Sequence, residues 1–173
     1  QYQEPARNAS RIAASWSVQV STGEFVWSEV DLAIPSRGFG FAFARFYRSR
    51  SNDEGPLGYG WDHVYNQRLD ANDSTPDTND VTLHDGTGRE DVFDNTGSGV
   101  WTAPAGYYEG MSYQSGPNEL TLTNRHGTKR YFKEHVSGGT YRLYKIEDPA
   151  GNVMDVEWES GVGGVYRVKT VND

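Results

Sequence analysis

A four-residue phrase, Asx-x-x-Gly, recurs at near-constant spacing through the second half of this chain. It stands at Asn124-Arg-His-Gly127 and at Asp148-Pro-Ala-Gly151, with a fainter copy earlier at Asp85-Gly-Thr-Gly88. Asn124 and Asp148 are 24 positions apart, and 25 more lead to Asp173, where a further copy would begin. Each end of the phrase has a physical task. The Asx side chain can accept a hydrogen bond from the backbone N–H two residues on, and the glycine supplies the positive φ that closes a reversal. Turns at a period of roughly 20–25 residues signal a repeat whose units bury their apolar faces only against neighbours. The expectation is all-β: antiparallel hairpins stacked as a curved strip or open β shell, with little or no helix. The two ends of such a strip are unpaired strand edges unless something covers them.

Composition agrees with an ordered, turn-rich β protein. Mean hydropathy is low, at -0.75, yet five tryptophans, eleven tyrosines and seven phenylalanines argue against disorder. The formal net charge of -8 disfavours a nucleic-acid partner, because phosphate binding needs clustered Lys and Arg. The absence of cysteine removes disulfide and thiolate chemistry. No stretch approaches the ~20 apolar residues of a membrane-spanning helix. A start at Gln1 without methionine suggests a processed or excised piece, and any signal peptide would already have been removed.

Along the chain, Gln1 to Ile12 is polar and without period, and residues 1–15 read as an extended N-terminal arm. Strand signals begin at Trp16, Val18 and Val20, reverse at Ser21-Thr-Gly23, and resume over Glu24 to Ile34. The clearest strand is Phe39 to Tyr47. Phe39, Phe41, Phe43, Arg45 and Tyr47 share one face, and the small Gly40, Ala42 and Ala44 stand with Phe46 on the other. Small residues at those positions predict a face pressed closely against another layer. Tyr59 to about Leu69 reads as one strand, with Tyr59, Trp61, His63 and Tyr65 on a common face. The Asp85 phrase should join Val81–His84 to Arg89–Asp94. The Asn124 and Asp148 phrases should each join a flanking strand pair, and Val165–Val171 should open another hairpin.

The ordered run Ser21-Thr-Gly23-Glu-Phe25-Val-Trp27, Asp31-Leu-Ala-Ile34-Pro35, Arg37-Gly38, Phe43, Arg45, Tyr47, Ser49 and Gly58-Tyr59-Gly60-Trp61 resembles the N-terminal domain of Rhs/YD-repeat proteins. The later hairpins, with Tyr141-Arg142-Leu143 leading the Asp148 turn, resemble the YD repeats themselves. The resemblance divides the chain into an arm (1–15), an Rhs-type β domain (16–115) and YD-like hairpin repeats (116–173). It implies a hollow β shell, often enclosing cargo, that the N-terminal domain begins or plugs. The C-terminal autoproteolytic motif and cargo region of that family have no counterpart in these residues. The resemblance therefore assigns no toxin activity here, and its implied setting is secreted or cell-surface and bacterial.

Several side-chain groups merit a functional reading beside the structural one. Asp70, Asn72, Asp73, Asp77 and Asp80 crowd a polar gap that could wrap calcium, although the glycine and terminal Glu of an EF-hand are absent. The same composition also describes a solvated loop. His63, His84, His126 and His135 lack zinc-motif spacing; His63 reads as packed and His126 as solvated. Trp16, Trp27, Trp61, Trp101 and Trp158 could stack sugars, or equally fill a core or interface. No nucleophile elbow appears, and no two carboxylates stand out as a glycosidase pair. The expected function is therefore non-enzymatic: a structural segment acting by enclosure and assembly, with no cofactor beyond calcium. Its partners would be the remainder of its own polypeptide or copies of itself. The alternatives are a self-assembling subunit of an extracellular β polymer, through arm and strand-edge exchange, and a glycan-binding β module.

Overall fold

The structure, a computed structural model, describes residues 15–36, 38–136, 138–161 and 165–173. Apart from Ser15, the expected N-terminal arm lies outside the described residues. The chain is all-β, and its only helical element among those residues is one 3-10 turn, Pro76–Thr78. Two sheets dominate.

The smaller sheet orders β1 (Ser15–Gln19), β2 (Glu24–Ile34), β3 (Phe41–Arg48) and β6 (Trp61–His63), all antiparallel. A short ribbon, β4 (Glu54–Gly55) with β5 (Gly58–Tyr59), lies between β3 and β6 in sequence. The small residues of β3 mark its tightest contact: Ala42, Ala44 and Phe46 are buried, whereas Phe41, Phe43, Arg45 and Tyr47 are half-buried. On that second face Trp27, Tyr47 and Trp61 pack ring on ring, with Trp27 and Trp61 at 5.4 Å and Tyr47 and Trp61 at 5.1 Å.

The larger sheet has ten strands. Its main path runs β10 (Val100–Thr102), β9 (Glu90–Gly97), β8 (Val81–His84), β7 (Arg68–Asp70), β14 (Thr140–Glu147), β13 (Lys129–Val136), β12 (Glu119–Asn124), β11 (Glu109–Gln114). The two ends, β10 and β11, are consecutive in the chain, and the sheet curls into a nearly closed barrel. Alternation along the strands supplies its interior: Leu69, Val81, Leu83, Phe93, Leu120, Leu122, Phe132, Tyr141 and Leu143 are wholly buried in one cluster. The expected boundary between residues 115 and 116 falls in the turn joining β11 to β12. Those strands pair with each other, and β7 pairs with β14, so both sides of that boundary share one sheet.

The hairpin strip forks at β14. One edge of its first half, Thr140–Arg142, pairs with β7, while Lys145–Glu147 pairs with β15 (Val153–Ser160), and β15 carries β16 (Tyr166–Asn172). At the fork, Leu143 N–H donates to Gln67 C=O at 3.1 Å. Its carbonyl accepts the Trp158 indole N–H at 2.6 Å. Backbone groups that lose a ladder partner where strands diverge are thus satisfied individually, as burial requires.

The turns share one hydrogen-bond scheme. Asn124 N–H donates to Thr128 C=O and Gly127 N–H to Asn124 C=O, both at 3.0 Å. Asn124 Oδ1 accepts from His126 N–H at 2.9 Å and from Thr128 N–H at 3.0 Å. Asp148 repeats this with Asn152, Gly151 and Ala150, at 3.0, 3.0, 2.8 and 2.9 Å. The Asp85 copy keeps the Asp85 N–H to Arg89 C=O bond and the side-chain bonds from Thr87 and Arg89 N–H. Gly88, Gly127 and Gly151 all have positive φ, between 79° and 89°.

One expected strand is broken. Between Tyr59 and Leu69 the chain forms β5, then β6, then a turn at Val64–Tyr65 closed by Asn66 N–H to His63 C=O at 2.8 Å, then β7 in the other sheet. Tyr59 is 68% exposed and Tyr65 1%, so the period-2 aromatics do not share one face. The chain is crossing between sheets here, and the alternation is coincidental.

Candidate functional site

The crossing at residues 64–67 brings the small sheet against the barrel, and a cleft of about 230 Å³ opens along the seam. Arg68 of β7, Arg142 of β14 and Tyr166 of β16 line the barrel side. Arg48 of β3, Asp53, Glu54 and Asp62 of β6 come from the small-sheet side, and Asn66 bridges the two.

Two of the three arginines here are paired with carboxylates. Arg48 donates to both oxygens of the buried Glu24, at 3.0 and 2.8 Å, and to Gly88 C=O in the Asp85 turn. The Arg48 hydrogen bond holds the Glu24 carboxyl below its ordinary value. Arg68 Nε reaches Asp70 Oδ2 at 3.2 Å, and its Nη2 lies 3.1 Å from His84 Nδ1. Asp62 accepts from Asn66 Nδ2 and from His63 N–H, both at 2.8 Å, while burial pushes its carboxyl upward.

Arg142 differs. Its guanidinium lies 5.1 Å from the Trp158 ring and 4.9 Å from the Tyr166 ring. Nη1 reaches Asn66 Oδ1 at 3.3 Å, and Nε is buried without a hydrogen-bond partner. Burial, then the neighbouring Arg68 charge, lowers its pKa.

The five residues expected to wrap calcium do not gather. Asp70 Oδ2 lies 3.0 Å from His84 Nε2. Burial pushes the Asp70 carboxyl up, but hydrogen bonds from His84 and Thr140, and then the Arg68 charge, outweigh it and hold it at about 2. Asp73 accepts from Thr75 N–H at 3.3 Å, and Asp80 from Asn95 N–H at 2.7 Å. Asp77 serves through its backbone carbonyl, which accepts from Gly99 N–H and from Asn95 Nδ2. Asn72 is exposed with φ 57°. Asp77 and Asp80 knit the 70–80 loop to the β9–β10 hairpin, Asp70 turns to His84 of β8, and Asp73 bonds within the loop.

Among the described residues, one set of three ligand-type side chains does converge, Asp53, His84 and Glu90, with atoms within 4.8 Å of one another. His84 Nε2–H points to Asp70, which leaves Nδ1 as the coordinating atom. Arg68 already donates to that nitrogen, so a metal would have to displace a guanidinium to reach it. The arrangement is built as an ion-pair network.

Of the tryptophans, Trp101 is buried, with its indole N–H on Asn79 C=O at 3.0 Å, and Trp158 is committed to Leu143 and Arg142. Trp27 and Trp61 remain half-buried, packed on each other. His63 is buried with Nδ1 unpartnered, and burial lowers its pKa to about 4. His126 lies in its turn near Arg125, and His135 packs on Tyr166 with ring centroids 4.5 Å apart. The cleft arginines escaped the sequence reading because Asn66 and Arg142 meet across 76 positions. No helix among the described residues is long and apolar enough to cross a membrane.

Residues 16–93 match the model of a family described as a domain of unknown function (DUF6531), a span that begins in β1 and ends in β9. The match fits a β-rich, repeat-like chain. No curated protein matches the chain.

Proposed function

We propose that this chain is a non-enzymatic structural segment of an Rhs/YD-type β shell, exported or displayed at a cell surface, that works by enclosure and assembly. The observation carrying this reading is the recurrence of one turn, bond for bond, at Asn124 and Asp148. Each turn returns the chain to pair with the preceding strand, so hairpins add to the sheet in sequence order. Among the described residues β16 pairs only with β15, and its other edge offers a template for the next hairpin. The Asp62–Asn66–Arg142 bridge serves in this reading as a joint that holds the small sheet on the barrel.

The test is to continue the chain from Asp173 with a copy of residues 149–160, since Asp173 stands one period beyond Asp148. Pairing with β16 should slow amide exchange over Tyr166–Asn172 by about tenfold or more, whereas a scrambled extension should not. Exchange that stays unchanged with either extension overturns strip extension.

A polymer-forming subunit is the second reading. It is supported by apolar side chains exposed on β2, Leu32 at 50% and Ile34 at 52%, beside an edge of β2 that has no strand partner over Glu29–Ile34 among the described residues.

A further inference from the structure

We propose that the seam cleft is an oxyanion site, in which Arg142 and Arg68 together bind a carboxylate or phosphoryl group of a small ligand.

The argument starts from strand register. Arg142 and Arg68 are Cα partners in the antiparallel pairing of β14 with β7. Directly opposed residues put their side chains on the same face, and like charges in that position repel. Ordinarily such a pair is relieved by carboxylates. Arg68 has Asp70, but Arg142 forms no ion pair among the described residues: its polar contact is the neutral Asn66 oxygen. A buried guanidinium N–H without an acceptor costs the desolvation of a charged donor.

The neighbours hold this donor in place rather than satisfy it. Trp158 is anchored by its indole bond to Leu143 C=O, and Tyr166 lies beside the same guanidinium. The two rings attract the cation and keep the plane of Arg142 from swinging away. Asn66 is itself fixed, because its amide nitrogen donates to Asp62. The result is a preorganised planar donor at the wall of an open cleft, suited to the two oxygens of a carboxylate or phosphoryl group.

The opposite wall limits what can enter. Asp53, Glu54 and Asp62 line the small-sheet side. Arg48, Arg68 and Arg142 offset them, so the lining has no excess positive charge for a polyanion such as nucleic acid, and an anion can be held only on the arginine side. The cleft volume of about 230 Å³ likewise suits a small ligand.

The experiment follows arginine Nε–H resonances in the 173-residue chain while chloride is replaced at constant ionic strength by orthophosphate or by acetate. Arg142 Nε–H should shift saturably with at least one anion, whereas Arg48 Nε–H, already bonded to Glu24, should stay in place. Response to phosphate alone assigns the phosphoryl class, and response to acetate assigns the carboxylate class. Arg142→Met keeps an unbranched chain between the two rings and, with binding read from the Arg68 Nε–H resonance, should weaken it at least tenfold. Should that variant not fold, Arg68→Met tests the same pair from the other strand. No saturable Arg142 shift with either anion up to about 50 mM, or unchanged affinity in a folded Met variant, overturns the proposal.

Discussion

The Asp85 turn and the Asp148 turn are closed by the same kind of side-chain and backbone bonds, yet one is a joint and the other a rim. At Asp148, Gly151 faces open space, and an added Cβ would meet nothing within 4 Å. At Asp85 the loop is wedged beneath the small sheet. A Cβ on Gly86 would lie 2.5 Å from His63 C=O, and one on Gly88 would lie 2.6 Å from Arg48 Cδ. The Arg48 guanidinium closes the contact by donating to Gly88 C=O. The same local code therefore serves two ends: it reverses the chain everywhere, and at Asp85 it also docks one sheet on another, more tightly than at Asp148, where Asn152 lies beside Gly38 of the β2–β3 loop.

That contrast can be broken by substitution. Gly86→Ala combines a positive φ with a clash against a backbone carbonyl that cannot rotate away. It should cost about 3 kcal/mol or more in urea unfolding. Gly151→Ala carries only the conformational penalty, about 1–2 kcal/mol. Equal losses at the two sites would show that the Asp85 turn is no joint.

The joint should also be the acid-sensitive part. His63, whose carbonyl meets Gly86, is buried and titrates at about 4 in the folded chain, against an ordinary value of 6.5. Between those pH values the unfolded chain binds the proton and the folded chain does not. Stability contributed by neutral His63 is thus fully present above pH 6.5 and is lost as pH falls toward 4, by about 3 kcal/mol in all. His63→Phe, which keeps a ring against Phe43, should flatten that slope. A slope unchanged in the variant places the acid sensitivity elsewhere.

The smallest expected effects separate the turns by their side chains. Asn124→Ala and Asp148→Ala each remove an acceptor for two backbone N–H groups on an exposed loop. Each should cost about 1 kcal/mol, the two agreeing within about 0.5 kcal/mol. Asp85→Ala should exceed them, because its Oδ1 also takes the Thr87 hydroxyl at 2.7 Å in a part-buried turn, whereas the further bond that Asp148 accepts, from Asn152 Nδ2 at 2.7 Å, is exposed to solvent. Thermal or urea midpoints for the three variants decide whether the turns rank by burial or behave alike.

Much of this was legible in advance because it is local. An Asx oxygen, two N–H groups and a glycine lie within five consecutive residues, so their geometry depends on little beyond that segment. The small face of β3 was equally readable, since alternation within one strand needs no knowledge of its partner. The Tyr59–Leu69 reading failed for the complementary reason. Period-2 aromatics describe a strand only when one sheet receives all of it, and here Tyr59, His63 and Leu69 belong to three different strands. The 70–80 acidic loop was illegible for a related reason: composition does not say where each oxygen turns, and here Asp70 turns to His84 while Asp73 and Asp80 accept from backbone N–H groups.

By itself, then, the sequence determined an all-β chain, its hairpin turns and their spacing, because those follow from contacts a few residues long. Only the tertiary structure decided that β14 forks between β7 and β15, that one turn of three becomes the joint between sheets, and that Arg68 and Arg142 stand opposite each other. Those outcomes depend on which distant strands share an edge. That choice is made by burying apolar faces across the whole barrel, and no short window of residues records it.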